Sequence, residues 1–122
     1  MIVSVWATLP LNENPDKIIK KLKNAVEYAV AEGGKVFLWE DENKFSDLIG
    51  QVIGQYPDII HMPVKYSEEI VLKTSPDISY GRSPSDKVKA YLADKADIVI
   101  ILEKKDSIVV RGLPKTTLRV KI

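Results

Sequence analysis

The chain has 122 residues, 45% of them hydrophobic and 29% charged, which is the make-up of one ordinary folded domain rather than a disordered tail. Eighteen Lys and Arg nearly balance seventeen Asp and Glu, so a uniformly basic or acidic coat is excluded, and the absence of Cys removes disulfides, thiolate metal sites and thiol nucleophiles. The balance is uneven: residues 104–122 hold six basic side chains (Lys104, Lys105, Arg111, Lys115, Arg119, Lys121) and one acid, Asp106, leaving an acidic surplus in 1–103.

Residues 2–8 read as a buried strand. Asn14, Pro15 and Asp16 then supply a cap, a first-turn proline and a first-turn acid. Ile18, Ile19, Leu22, Ala25, Val26, Ala29 and Val30 recur at helical spacing up to Gly33 and Gly34. Residues 36–39 form a short apolar strand beside the first. Phe45, Leu48, Ile49, Val52 and Ile53 sketch a second helix, closed by Pro57. Residues 59–64 are a third strand, whose Pro63 suits an edge.

Between 65 and 82 the expected element is an extra strand at 69–74, followed by a loop rich in Ser, Pro, Asp and Gly. Ser83, Pro84 and Asp86 then have the form of a capping box opening a third helix, on which Val88, Tyr91, Leu92 and Ala96 share a face. Residues 98–102 are the most apolar run, as in a strand covered on both faces. Residues 108–111 and 117–122 read as two short strands joined by Gly112, Leu113 and Pro114, an antiparallel extension at one side of the sheet. The expected fold is a single α/β domain over 1–122, a three-layer Rossmann-like sheet that is mainly parallel with a C-terminal antiparallel extension. The order of segments is similar to that of several small Rossmann-like families, nucleoside deoxyribosyltransferase-like and sulfur-relay proteins among them; no motif selects one, and the cysteine of a sulfur relay is absent.

In open α/β sheets, ligands bind beyond the carboxyl ends of the strands. That rule nominates the loop after the first strand, with Thr8 and Asn12; the end of the second, with Trp39, Glu40 and Asp41; and the loop into the third helix, with Tyr80, Arg82, Ser83 and Ser85. The helix start suits a phosphate, an acid after the second strand suits ribose hydroxyls, and Trp6, Trp39 and Tyr80 offer a stacking surface for a base. The expected function is binding of a phosphorylated or nucleotide-like small molecule. Neither a GxGxxG fingerprint nor a phosphate loop is present, so no cofactor and no reaction is specified. A single His61 leaves no two-histidine metal motif, and it reads more simply as a packed residue than as a base.

Two further classes arise. Tyr56, Pro57, Asp58 with Glu103, Lys104, Lys105 mimics a PD-(D/E)xK nuclease, but in a parallel sheet Asp58 starts one strand while Glu103 ends another, so the match is accidental. Lys104, Lys105, Arg111, Lys115, Arg119 and Lys121 form the alternative site, a nucleic-acid- or protein-binding surface on the C-terminal strands. A homo-oligomer through Leu118, Val120 and Ile122 is the third expectation. The apolar runs fall far short of a membrane span and no signal peptide is indicated, so cytoplasmic residence is expected. Abundant Lys, Glu, Ile and Val without Cys also suits a thermophile.

Overall fold

The computed structural model describes residues 1–8, 14–42, 44–104 and 116–122. The strand of residues 108–111, its following turn, and Asn12, Lys105, Arg111 and Lys115 lie outside them. Helix α1 (Pro15–Ala31) begins where the Asn14 side chain accepts the Asp16 N–H at 2.9 Å, and its apolar stripe, Ile18, Leu22, Ala25, Val26 and Ala29, is buried. The stripe joins the core on one side of strands β1 (Ile2–Ala7), β2 (Val36–Glu40), β4 (Ile98–Glu103) and β5 (Thr116–Lys121), with α1 itself lying over β4 and β5, while Lys17, Lys20 and Lys23 stay exposed. Helix α2 (Ser46–Ile53) lies beside α1 and is followed by β3 (Ile60–Val64).

Residues 68–72 are a short helix, α3 (Glu68–Leu72), where the sequence suggested an extra strand. Ile70, Val71 and Thr74 favour a strand by propensity, but the Ser67 hydroxyl accepts the Ile70 N–H at 3.3 Å and two acids occupy the first turn. Lys73 then pairs with Glu69 one turn back, 2.6 Å away. Helix α4 (Pro84–Lys95) opens with the expected capping box, and β4 (Ile98–Glu103) and β5 (Thr116–Lys121) complete the described elements.

The five strands form one sheet in the order β3-β2-β1-β4-β5, and every neighbouring pair is parallel. The antiparallel extension is therefore corrected. Strand β5 runs alongside β4, with Ile98 opposite Thr116 and Glu103 opposite Lys121, so the chain returns from the carboxyl end of β4 to the other end of the sheet before β5 starts. The alternation of Leu118 and Val120 specified which face they take, not the direction of the strand. Both residues, with Ile122, turn toward α1; Ile122 is buried there, and Leu118 and Val120 are partly buried.

Register sorts the two faces. Val3, Val5, Phe37, Trp39, Ile98, Ile100 and Leu102 face α1 and α2, whereas Trp6, Leu38, Val99 and Ile101 face α4. Ser4 also lies on the α4 side and satisfies its hydroxyl on the Leu92 carbonyl at 2.6 Å. Helices on both faces give three layers, and the strand order reverses between β1 and β4, as in a doubly wound sheet.

Candidate functional site

A cleft of about 470 Å³ opens at the carboxyl ends of β1, β2 and β3, beneath the start of α4. It falls within the size range of small-molecule sites, at the end of the sheet where α/β proteins bind ligands. Ala7, Glu40 and Val64 come from the strand ends, Glu42, Lys44 and Phe45 from the turn before α2, Tyr66 from the segment after β3, and Ser83, Pro84, Ser85 and Val88 from the start of α4. Glu40 is the last residue of β2 and is 6% exposed. A carboxylate at that depth is an acceptor with fixed position, suited to hydroxyl or amine donors of a ligand.

The start of α4 offers less to an anion than its sequence suggested. Ser83 Oγ already accepts the Asp86 N–H at 3.0 Å, the Asp86 carboxylate accepts the Ser83 N–H at 3.4 Å, and Pro84 has no N–H. Ser85 is the first-turn residue left with a backbone donor and a hydroxyl beside the cleft. Asp86 also places a negative charge at the positive end of the helix dipole. Gly81, at φ 135°, lets the preceding loop lie against that carboxylate, because a Cβ here would collide with it.

Of the sequence-predicted site residues, Glu40, Ser83 and Ser85 meet in the cleft. Thr8 is exposed at the end of β1 and anchors it to β4, its N–H and hydroxyl both donating to the Leu102 carbonyl at 2.8 and 3.3 Å. The Asp41 carboxylate lies 3.6 Å from Lys65 Nζ. Arg82 is exposed and outside the cleft lining.

The stacking surface does not form. Trp39 pairs in register with Val5, so it points to the face opposite Trp6, where it is buried and donates from Nε1 to Ser46 Oγ at 3.2 Å. Trp6 and Tyr80 do meet, with ring centroids 6.5 Å apart and planes tilted by 53°, but within the core under α4. The Trp6 Nε1 and the Tyr80 hydroxyl are buried there without a hydrogen-bond partner.

Burial pushes the Tyr80 hydroxyl above its ordinary value of 10.0. The folded protein thus keeps this proton at a pH where the unfolded chain loses it, so Tyr80 contributes a loss of stability as pH rises through about 10. Tyr80→Phe is expected to raise stability by about 1 kcal/mol at pH 7, by removing an unsatisfied buried hydroxyl, and to flatten this alkaline loss. Urea midpoints at pH 7 and pH 11 check both effects.

Lys44, Val64 and Tyr66 are cleft residues that sequence reasoning missed. The strand-end rule applies to β3 as much as to β1 and β2, and it would have nominated Val64 and Tyr66 had the segment after β3 been readable. His61 is exposed on β3, its Nε2 3.4 Å from the Tyr56 carbonyl oxygen. Asp58 precedes β3 at one end of the sheet, while Glu103 ends β4 at the other, with β2 and β1 between those strands. Among the described residues, no group of three or more His, Asp or Glu side chains could hold a metal ion.

On the C-terminal strand the basic residues are not a free row. Arg119 Nη1 and Lys121 Nζ lie 3.7 and 2.6 Å from the Glu103 carboxylate, which is 1% exposed. Lys104 is exposed. No helix among the described residues is long and apolar enough to cross a membrane. No protein-family model matches the chain, and no curated protein or solved structure is significantly similar to it.

Proposed function

We propose that this is a cytoplasmic α/β domain that binds a nucleotide-like small molecule in the cleft at the strand carboxyl ends. The observation that carries the reading is the buried Glu40 carboxylate lining a ligand-sized cleft where α/β sheets hold their ligands. In this arrangement Glu40 accepts hydrogen bonds from sugar hydroxyls, Ser85 donates from its backbone and side chain, and Lys44 supplies the positive charge for a phosphate. Phosphate recognition rests on Lys44 more than on the helix start, because the capping box occupies the latter. Trp6, Tyr80, Arg82 and His61 take no part.

Calorimetric titration with nucleosides, nucleotides and sugar phosphates tests the reading. The expected result is binding that weakens about tenfold or more in Glu40→Gln, since a neutral amide replaces an acceptor of charge-assisted hydrogen bonds. Lys44→Ala is expected to reduce affinity for the phosphorylated ligand and leave the nucleoside unchanged. Absence of binding at millimolar ligand, or affinity undiminished in Glu40→Gln, would exclude this function.

A further inference from the structure

We infer that the free edge of β3 is a self-association surface, on which a second copy of this chain pairs antiparallel about a two-fold axis to make one continuous sheet. Among the described residues strand β3 is the outer strand of its side, and Ile60, His61, Met62 and Pro63 are all exposed. Helix α4 packs on β1 and β2, so its layer leaves Ile60 and Met62 on the uncovered part of that face, 58% and 47% exposed. From Ile59 to Val64 the sequence holds no Asp, Glu, Lys or Arg. Charged side chains and Pro are common protections against edge pairing; the opposite edge strand, β5, has Arg119 and Lys121, whereas β3 has only Pro63, near its end.

The backbone sets how a partner fits. The Ile60 N–H donates to the Lys35 carbonyl at 2.8 Å, and the Val64 carbonyl accepts the Asp41 N–H at 2.9 Å, so even-numbered residues bond to the β2 side. His61 and Pro63 then turn their backbone polar groups outward, and only His61 has an N–H to offer. Pairing centred on His61 forms two N–H···O bonds, one donated by each copy's His61, and places Pro63, which has no N–H, opposite Ile59 just outside the second copy's strand. It sets Ile60 opposite Met62 of the second copy on the same face, twice over.

Charge selects this occupant and its direction. The strand is bounded by Asp58 before it and, after it, by Lys65, whose side chain contacts Asp41 at 3.6 Å and remains 70% exposed. Antiparallel self-pairing brings each copy's acidic end beside the other's basic end, whereas parallel pairing would put like charges together. A two-fold contact is also closed, giving a dimer rather than a fibre.

Sedimentation velocity on the full chain from about 5 to 500 μM tests the pairing. The expected result is a reversible monomer–dimer equilibrium whose dissociation constant rises at least about tenfold in Met62→Lys, a substitution of an exposed residue, with the circular dichroism spectrum unchanged. Because the chain lacks cysteine, His61→Cys introduces the only thiol. Facing residues of a hydrogen-bonded antiparallel pair have Cα atoms about 5.5 Å apart, within disulfide reach, so His61→Cys is expected to form a covalent dimer under mild oxidation. Leu72→Cys, at a position 86% exposed on α3, is expected to remain monomeric. A chain that stays monomeric throughout, a dimer indifferent to Met62→Lys, or equal cross-linking of Leu72→Cys would overturn the inference.

Discussion

Lys121→Met is expected to lower the unfolding free energy by about 2–3 kcal/mol at pH 7. Glu103 sits at the carboxyl end of β4 with 1% of its side chain exposed, and Lys121 Nζ is its nearer cation at 2.6 Å. Removing one partner of a buried ion pair costs about 3–5 kcal/mol, because the remaining charge has been taken out of water. Two features reduce the figure here. Arg119 remains 3.7 Å from the carboxylate, and the Lys121 side chain is 39% exposed, so its own attraction is partly screened. Glu103→Leu combined with Lys121→Met is expected to recover most of the loss, since an apolar pair carries no desolvated charge. Urea unfolding of the two variants and the parent provides the comparison, and a double variant no better than Lys121→Met would refute the account.

Gly34→Ala is expected to cost about 2–3 kcal/mol for a steric reason. A Cβ at Gly34 would stand 2.8 Å from the Ala29 carbonyl oxygen and 2.9 Å from Val3 Cγ2. Neither neighbour yields easily: the Ala29 carbonyl already accepts the Gly34 N–H at 2.8 Å, and Val3 is fully buried in the central sheet. Inserting one carbon into a packed interior typically costs about 1–3 kcal/mol, and here the obstruction includes backbone. Gly50 is an internal control. Its Cβ would meet Trp39 at 3.4 Å, an ordinary contact, so Gly50→Ala is expected to be neutral or stabilising inside α2. Thermal and urea midpoints for both variants separate crowding at Gly34 from a general intolerance of substitution.

Elements whose signals were local were legible in the sequence. Asn14 with Pro15, and Ser83 with Pro84 and Asp86, mark helix starts because a cap is settled within four residues of chain. The uninterrupted apolar run at β4 is legible because both faces of that strand are covered. Strand direction is a different kind of quantity. Residues 104–115 are long enough either to loop back beside β4 or to cross over it, and side-chain alternation in β5 is identical in the two cases. For α3 the Ser67 cap, the acids Glu68 and Glu69 and the Glu69–Lys73 pair outweighed the β-branched residues among them.

The site divides along the same line. Glu40, Ser83 and Ser85 follow from a rule about strand ends and helix starts, which needs only the order of elements. The Trp6 and Trp39 rings part because Val5, not Trp6, is in register with Trp39, and register between two strands is set by packing across the whole sheet. Lys44 and Tyr66 reach the cleft through the paths of connecting segments, which composition does not specify. Arg119 and Lys121 read as surface charges until β5 is placed parallel to β4, which brings Lys121 opposite a buried glutamate.

The reversal of strand order also bears on how the sheet assembles. Asp97 accepts the Ile2 N–H across 95 positions of sequence, whereas Ile2 meets Val36 much nearer along the chain. Loop-closure entropy makes the first joining costlier by roughly 1 kcal/mol, and it is repaid only once α4 and β4 are also in place. The unit from β1 to β3 therefore has the shorter route to order, and the middle of the finished sheet is its late seam. Until β4 docks, β1 has an open hydrogen-bonding edge flanked by Val3, Val5 and Trp6, the kind of exposure through which partly folded chains capture one another.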